Sequence, residues 1–222
     1  MSIITLVRHG QASAGTDNYD RLSSLGQKQA QLLGDWWVTT KIKPDAVFAG
    51  TLERQQHTAS LTLESAGLDN LTVGVLPELN EYTHNDVDRE FGGGFSSDSG
   101  VNLTLKDYYG IMDRWRSANE ASLNNVESWP SFMSRGLQAM QHAHEAVNGN
   151  GHAVMFTSGG IIATLLGNVQ SHPFNVIIDN IWHIRNASIS TLQFDGKSAQ
   201  LLDFNGVPHL DSLADKTLIT QI

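Results

Sequence analysis

The stretch Ile3-Ile4-Thr5-Leu6-Val7-Arg8-His9-Gly10-Gln11 decides how this chain is read. Five uncharged residues, mostly β-branched or leucine, form a short strand pattern buried on both faces, as in the interior of a parallel sheet. An arginine and a histidine follow at once. Ligands of open α/β sheets collect beyond the carboxyl ends of the strands, so a cation and an imidazole stand where a ligand sits. Gly10 lets the backbone turn close to that ligand with no side chain in the way. Taken alone, Arg8-His9-Gly10 reads equally well as a surface turn, because short matches arise by chance.

The rest of the chain supplies the setting. Ser23 or Ser24 can cap a helix with Leu25, Leu32, Leu33, Trp36 and Trp37 on one face. Ala46-Val47-Phe48 reads as a second buried strand, and Gly50-Thr51 opens a helix with Leu52, Ala59, Leu63 and Ala66 inward, Thr51 serving as cap. Arg54 falls in its first turn and can point back toward His9, although a helix arginine is also commonly just solvated. Residues 71–75 read as a third strand. From about 83 to 128 the pattern is irregular, with Gly92-Gly93-Gly94 and a Ser/Asp/Gly run read as a flexible loop lacking the ending of a nucleotide P-loop. Within it, Thr104 can cap a helix carrying Leu105, Tyr108, Tyr109, Met112 and Trp115 on one side.

A long helix follows over 128–147, with Met133, Leu137, Met140, His144 and Val147 on its apolar face. His142 and His144 sit about 200° apart around it, so they cannot share one metal. His152-Ala153-Val154-Met155-Phe156 is a fourth strand leading through Thr157-Ser158-Gly159-Gly160 into a helix. Residues 188–194 and 198–204 flank Asp195-Gly196 as a hairpin. The last dozen residues carry no motif.

Composition bounds the function. The 222 residues contain no long linker and suggest one α/β domain, 1–222, with an insertion. No apolar run approaches the ~20 residues that span a bilayer, and no basic-then-apolar leader is visible, so neither membrane anchor nor signal peptide is expected. The absence of cysteine excludes disulfides, thiolate zinc and thiol catalysis, and makes a cytoplasmic protein the default. With 14 Lys and Arg against 23 Asp and Glu, the net charge of −9 argues against a nucleic-acid surface. An anionic substrate would need a local positive pocket, which makes Arg8 and Arg54 informative.

Arg-His-Gly-Gln after an N-terminal apolar strand resembles the histidine phosphatase superfamily, the phosphoglycerate mutase-like proteins. Further marks come in the same order: Leu22-Ser23, Gly26 and Gln29-Ala30, then Arg54 with Thr58-Ala59, then Glu81 after Pro77-Glu78-Leu79-Asn80, then Gly159-Gly160. The resemblance spans roughly 3–194. It implies a three-layer α/β/α sandwich around a mainly parallel sheet, with residues 83–128 as a substrate-selecting cap in which Arg89, Lys106, Arg114 and Arg116 could touch substrate, although each such cation is more often simply solvated.

It also implies chemistry. His9, unprotonated on the attacking nitrogen, takes a phosphoryl group and splits one displacement into two. Arg8 and Arg54 match the charge spread over the oxygens in flight. Glu81 is the acid and base by resemblance and by its loop position, with Glu78 the competitor by sequence alone. No metal or other cofactor is called for, since the arginines supply the charge.

Two departures stand out. The family carries a second histidine before the late Gly-Gly, where this chain has Ser158. A serine hydroxyl and the amides opening the next helix can still donate to phosphate. The missing cationic donor, at ~1.5 to 3 kcal/mol, would slow chemistry roughly 10- to 150-fold unless replaced. His84, just after Glu81, is the candidate replacement, whereas His57 points roughly 60° away from Arg54. Mutases of the family carry Trp-Asn where Ala14-Gly15 stands here, which leans toward a phosphatase.

The leading expectation is therefore a phosphomonoester hydrolase for a small phosphorylated metabolite. The alternatives are a weak or inactive member that binds a phosphorylated ligand, and a protein phosphatase. The oligomeric state is not legible.

Overall fold

The computed structural model of the protein describes residues 1–13, 19–92, 104–123 and 126–221. Residues 3–8 lie in the central strand β1 (Ser2–Arg8), which is buried along its length. The other strands are β2 (Ala46–Ala49), β3 (Val73–Val75), β4 (His152–Thr157), β5 (Ile189–Phe194) and β6 (Ala199–Gly206). They form one sheet in the order β3-β2-β4-β1-β5-β6. Strands β3, β2, β4 and β1 run parallel, and β5 runs antiparallel to both β1 and β6.

The period-2 geometry of the strands sorts the core into two layers. Val7, Val47, Ala49, Val154 and Phe156 meet Leu33, Trp37, Ala59 and Leu63 of helices α1 (Ser24–Thr40) and α2 (Glu53–Ser65). Ile4, Leu6, Phe48, Ala153 and Met155 face the other way. They meet α5 (Trp129–Ala146), α6 (Gly159–Val169) and α7 (Phe174–His183). Helices on both faces of the sheet give the expected three-layer α/β fold. No helix among the described residues is long and apolar enough to cross a membrane.

Several elements differ from the sequence reading. Ser23 caps α1, but the buried set there is Gly26, Gln29, Ala30, Leu33, Gly34 and Trp37, while Leu25, Leu32 and Trp36 are only half-buried. Small residues on that face let α1 approach the backbone closely. Helix α2 starts at Glu53 and takes no cap from Thr51. Strand β3 is limited to Val73–Val75, because only those residues pair with β2.

The irregular stretch holds an unforeseen helix, α3 (His84–Phe91), before α4 (Leu105–Ser117). Thr104 and Asp107 close a reciprocal capping box on α4, in which Ile111 is buried and Leu105 is 59% exposed. Trp129 and Phe132 rotate the buried stripe of α5, leaving Met133 and Leu137 half-buried. His142 and His144 lie on separate rings, Phe48 and Phe194. The Gly93-Gly94 and Ser/Asp/Gly run, and Ala14-Gly15, lie outside the described residues.

Candidate active site

Parallel pairing of β1 with β4 brings Arg8 beside Thr157, and the His9 amide donates to the Thr157 carbonyl at 2.9 Å. The turn after β1 is then clamped from two sides. The Gly10 amide donates to Thr58 Oγ1 of α2 (3.0 Å), and the Gln11 amide to Gln29 Oε1 of α1 (2.8 Å). Gly10 packs so closely on Gly26 that a Cβ on Gly26 would stand 2.7 Å from the Gln11 nitrogen. The marks at Gly26, Gln29 and Thr58 are thus the scaffold that aims His9.

His9 is 3% exposed, and its Nδ1 lies 2.7 Å from the Gly10 carbonyl oxygen. A carbonyl only accepts, so Nδ1 carries the proton and Nε2 keeps its lone pair. That nitrogen accepts from Arg54 Nε at 3.1 Å. Burial, then Arg54 and Arg8, hold the imidazole pKa well below 6.5, against the opposing pull of the Gly10 carbonyl. The ring is therefore held in its neutral form.

Arg8 donates through Nη1 to the Ile184 carbonyl, while its buried Nε has no partner. A buried donor without an acceptor marks a place for an anion. Burial lowers its pKa to about 10, opposed by Glu81, so it remains charged at neutral pH. Arg54, in the first turn of α2, also donates through Nη1 to Asp20 Oδ1 at 2.7 Å. Asp20 Oδ2 accepts from the Glu53 amide at 2.8 Å. Asp20 therefore caps α2 from outside that helix while it braces Arg54.

Glu81 accepts from the Gly160 amide at 2.8 Å and from its neighbour Tyr82 at 3.1 Å, which sets its carboxylate at the N-terminus of α6. The loop before it is pinned on all sides. Arg135 of α5 donates to the carbonyls of Glu78 and Asn80, Gln55 Nε2 and Thr157 Oγ1 donate to the Leu79 carbonyl, and Asn80 bonds Thr51.

A cavity of about 590 Å³ opens over these groups. Arg8, His9, Arg54, Glu81 and His84 all line it, so five of the six expected site residues converge. His84 opens α3, lines the cavity and meets the Tyr82 ring at a tilt, 4.1 Å between ring centres. Desolvation lowers its pKa, with smaller contributions from Arg54 and Arg8, against the opposing carboxylates of Glu81 and Asp88.

Ser158 is not on the cavity wall. It is 1% exposed, and its hydroxyl oxygen accepts from Gln55 Nε2 at 2.8 Å. The Gly160 amide, expected as a phosphate donor, is bonded to Glu81. Glu78, the competing acid, does not reach the cavity either, and neither does His57.

The cap cations turn elsewhere. Arg89 pairs with Asp86, Arg116 with Asp113, Arg114 donates to the Phe91 carbonyl, and Lys106 is exposed. A second, polar opening of about 540 Å³ reaches Arg8 and His9 past Gln11, Ser23 and Asn186.

A profile of the histidine phosphatase superfamily (branch 1) matches residues 4–206. The chain belongs to the histidine phosphatase superfamily. The adenosylcobalamin/alpha-ribazole phosphatase of Escherichia coli K12 is 23% identical over 186 residues, 81% of this chain and 83% of that one. Bacillus stearothermophilus YhfR superposes with a TM-score of 0.70 at 18% identity, covering 94% of this chain and 99% of that one. A phosphoserine phosphatase of Entamoeba histolytica, solved with phosphoserine, gives 0.64 at 18% identity over 95% and 100%. These structures share the phosphoglycerate mutase-like fold seen here.

Sequence reasoning assigned no role to Asp20, Gln55 or Arg135. Each acts through a partner 24 or more positions away, so no local pattern announces it.

Proposed function

We propose that the protein is a metal-independent phosphomonoester hydrolase that works through a phosphohistidine on His9 and acts on a small phosphorylated metabolite. The observation that carries this reading is the buried His9 Nε2, which is unprotonated, accepts from Arg54 Nε and belongs to a ring that lines the cavity together with Arg8. In the first step Arg54 Nε turns its hydrogen bond from Nε2 to a phosphate oxygen, the freed Nε2 attacks phosphorus, the N–P bond forms and the ester P–O bond breaks. The alkoxide leaves with a proton from Glu81. In the second step water attacks the phosphohistidine, Glu81 takes its proton, the N–P bond breaks and phosphate departs.

Arg8 and Arg54 stabilise the equatorial oxygens, the charge a metal ion would otherwise supply. His84, on the same wall as Glu81, is the candidate for the second imidazole; His84→Ala should then weaken both turnover and phosphate inhibition. Ser158, turned to Gln55 and off the cavity wall, would not reach the phosphate directly. Ser158→Ala is therefore expected to alter phosphate affinity less than Arg54→Ala does.

One observation favours a second reading. Gln55 already holds Ser158, and no histidine stands before Gly159, so a binder with little turnover is the alternative. Hydrolysis of p-nitrophenyl phosphate in the presence of EDTA decides between them. Turnover lost in His9→Ala, with an acid-labile phosphoprotein trapped in wild type, supports the hydrolase. Undiminished turnover in His9→Ala refutes it, and saturable phosphate binding without turnover supports the binder.

A further inference from the structure

The floor and the walls of the main cavity have opposite character. The floor holds Arg8 and Arg54. Above it stand Leu52, Tyr82, Tyr108, Ile181 and Trp182, with the carboxylates of Glu81 and Asp88. The aromatic walls are rigid. Trp182 meets Tyr108 edge-on at 4.9 Å, and the hydroxyls of Tyr82 and Tyr108 bond each other at 2.9 Å, so the two phenols satisfy one another. Burial raises both tyrosine pKa values, which keeps them neutral.

No Lys or Arg other than Arg8 and Arg54 lines this cavity or the polar opening beside it, among the described residues. Segments 14–18, 93–103 and 124–125, outside those residues, contain no Lys or Arg at all. A phosphate group would occupy both guanidiniums. A second anionic group on the same substrate would then meet Asp88 and Glu81 with no further lysine or arginine to receive it.

We infer that the substrate is the phosphate monoester of an uncharged or cationic alcohol with a flat apolar body, held by Trp182, Tyr108 and Leu52. Asp88 acts as the residue that rejects a second anion. The inference rests on the proposed hydrolase reading and adds the chemical class of the leaving alcohol. It sets the protein apart from enzymes of phosphorylated acids and bisphosphates. An aromatic ring can pack against the cavity side of the Tyr108–Trp182 pair by the offset or edge-on packing that such surfaces favour. A carboxylate near Asp88 is repelled through a partly desolvated space.

Three esters with phenolic leaving groups of similar basicity test this: 4-ethylphenyl phosphate, phosphotyramine and 4-(carboxymethyl)phenyl phosphate. Their kcat/KM values are measured with wild type, and their Kd values by calorimetry with His9→Ala, which binds without turning over. The carboxylate ester is expected to be at least about tenfold poorer than the ethyl ester in both measures. Asp88→Asn should narrow that gap to about threefold or less, and Trp182→Ala should weaken the ethyl ester about tenfold while sparing methyl phosphate. A carboxylate ester equal to or better than the ethyl ester, or a gap unmoved by Asp88→Asn, overturns the inference. Loss of turnover on all three esters would defeat the hydrolase reading, and the order of Kd values would still decide the substrate class.

Discussion

Replacing Gly160 by alanine asks whether Glu81 is the acid, without touching any titratable group. A Cβ at Gly160 would stand 2.9 Å from Glu81 Cδ and 3.1 Å from Oε2, closer than carbon normally approaches either. The Gly160 carbonyl is tied into α6 by Thr164, whereas the carboxylate ends a rotatable side chain and is tied by the Gly160 and Tyr82 amides. The carboxylate therefore yields, by roughly 1 Å, and such a misplacement costs about 100-fold when geometry is catalytic. That corresponds to about 2.7 kcal/mol of barrier.

The loss should depend on the leaving group. An alkyl ester needs a proton on its departing oxygen, so its kcat/KM is expected to fall about 100-fold. p-Nitrophenolate leaves unaided, so its kcat/KM should change less than about threefold. Because kcat/KM reports only steps up to formation of the phosphohistidine, the later attack of water does not blur the comparison. Glu81→Gln should show the same selectivity, and a urea melt followed by tryptophan fluorescence confirms that the fold is retained. Equal losses on both esters would refute the assignment, and a selective loss in Glu78→Gln instead would transfer the role to Glu78.

Other expectations follow from the same contacts. His209 is buried with neither ring nitrogen partnered, and burial lowers its pKa to about 4 against the pull of Asp211. Below pH 6.5 the unfolded ring takes a proton that the folded ring refuses, so stability is full above pH 6.5 and falls toward pH 4, by about 3 kcal/mol. His209→Phe should flatten that part of the urea stability profile, and parallel profiles would contradict it. Because His9 is held neutral, kcat/KM corrected for ionisation of the ester should stay level as pH falls through 6.5; a limb centred at 6.5 that disappears in no other histidine variant would count against it. Gly26→Ala pushes α1 off the Gln11 backbone and should cost about 2 to 3 kcal/mol in a urea melt, together with most activity. Asp20→Ala frees Arg54 from its brace and should raise KM for p-nitrophenyl phosphate about tenfold, and an unchanged KM would show that the brace is dispensable.

Much of the architecture is written locally in the chain. The two-sided burial of β1, the Ser23 and Thr104 caps, and the hairpin at Asp195-Gly196 involve groups only a few positions apart. Spacing and residue type suffice to read them. The Arg8-His9 pair is legible for the same reason, because the end of a strand in an α/β sheet is a ligand position wherever it occurs.

Packing decided the rest. Glu81 rather than Glu78 faces the cavity because Arg135, Gln55 and Thr157 seize the carbonyls between 78 and 80. Ser158 turns to Gln55, 103 positions away, and the cap arginines find partners on their own surface. A side chain's partner at that separation is chosen by how helices and strands settle against each other, and a linear pattern of residue types carries no record of that distance.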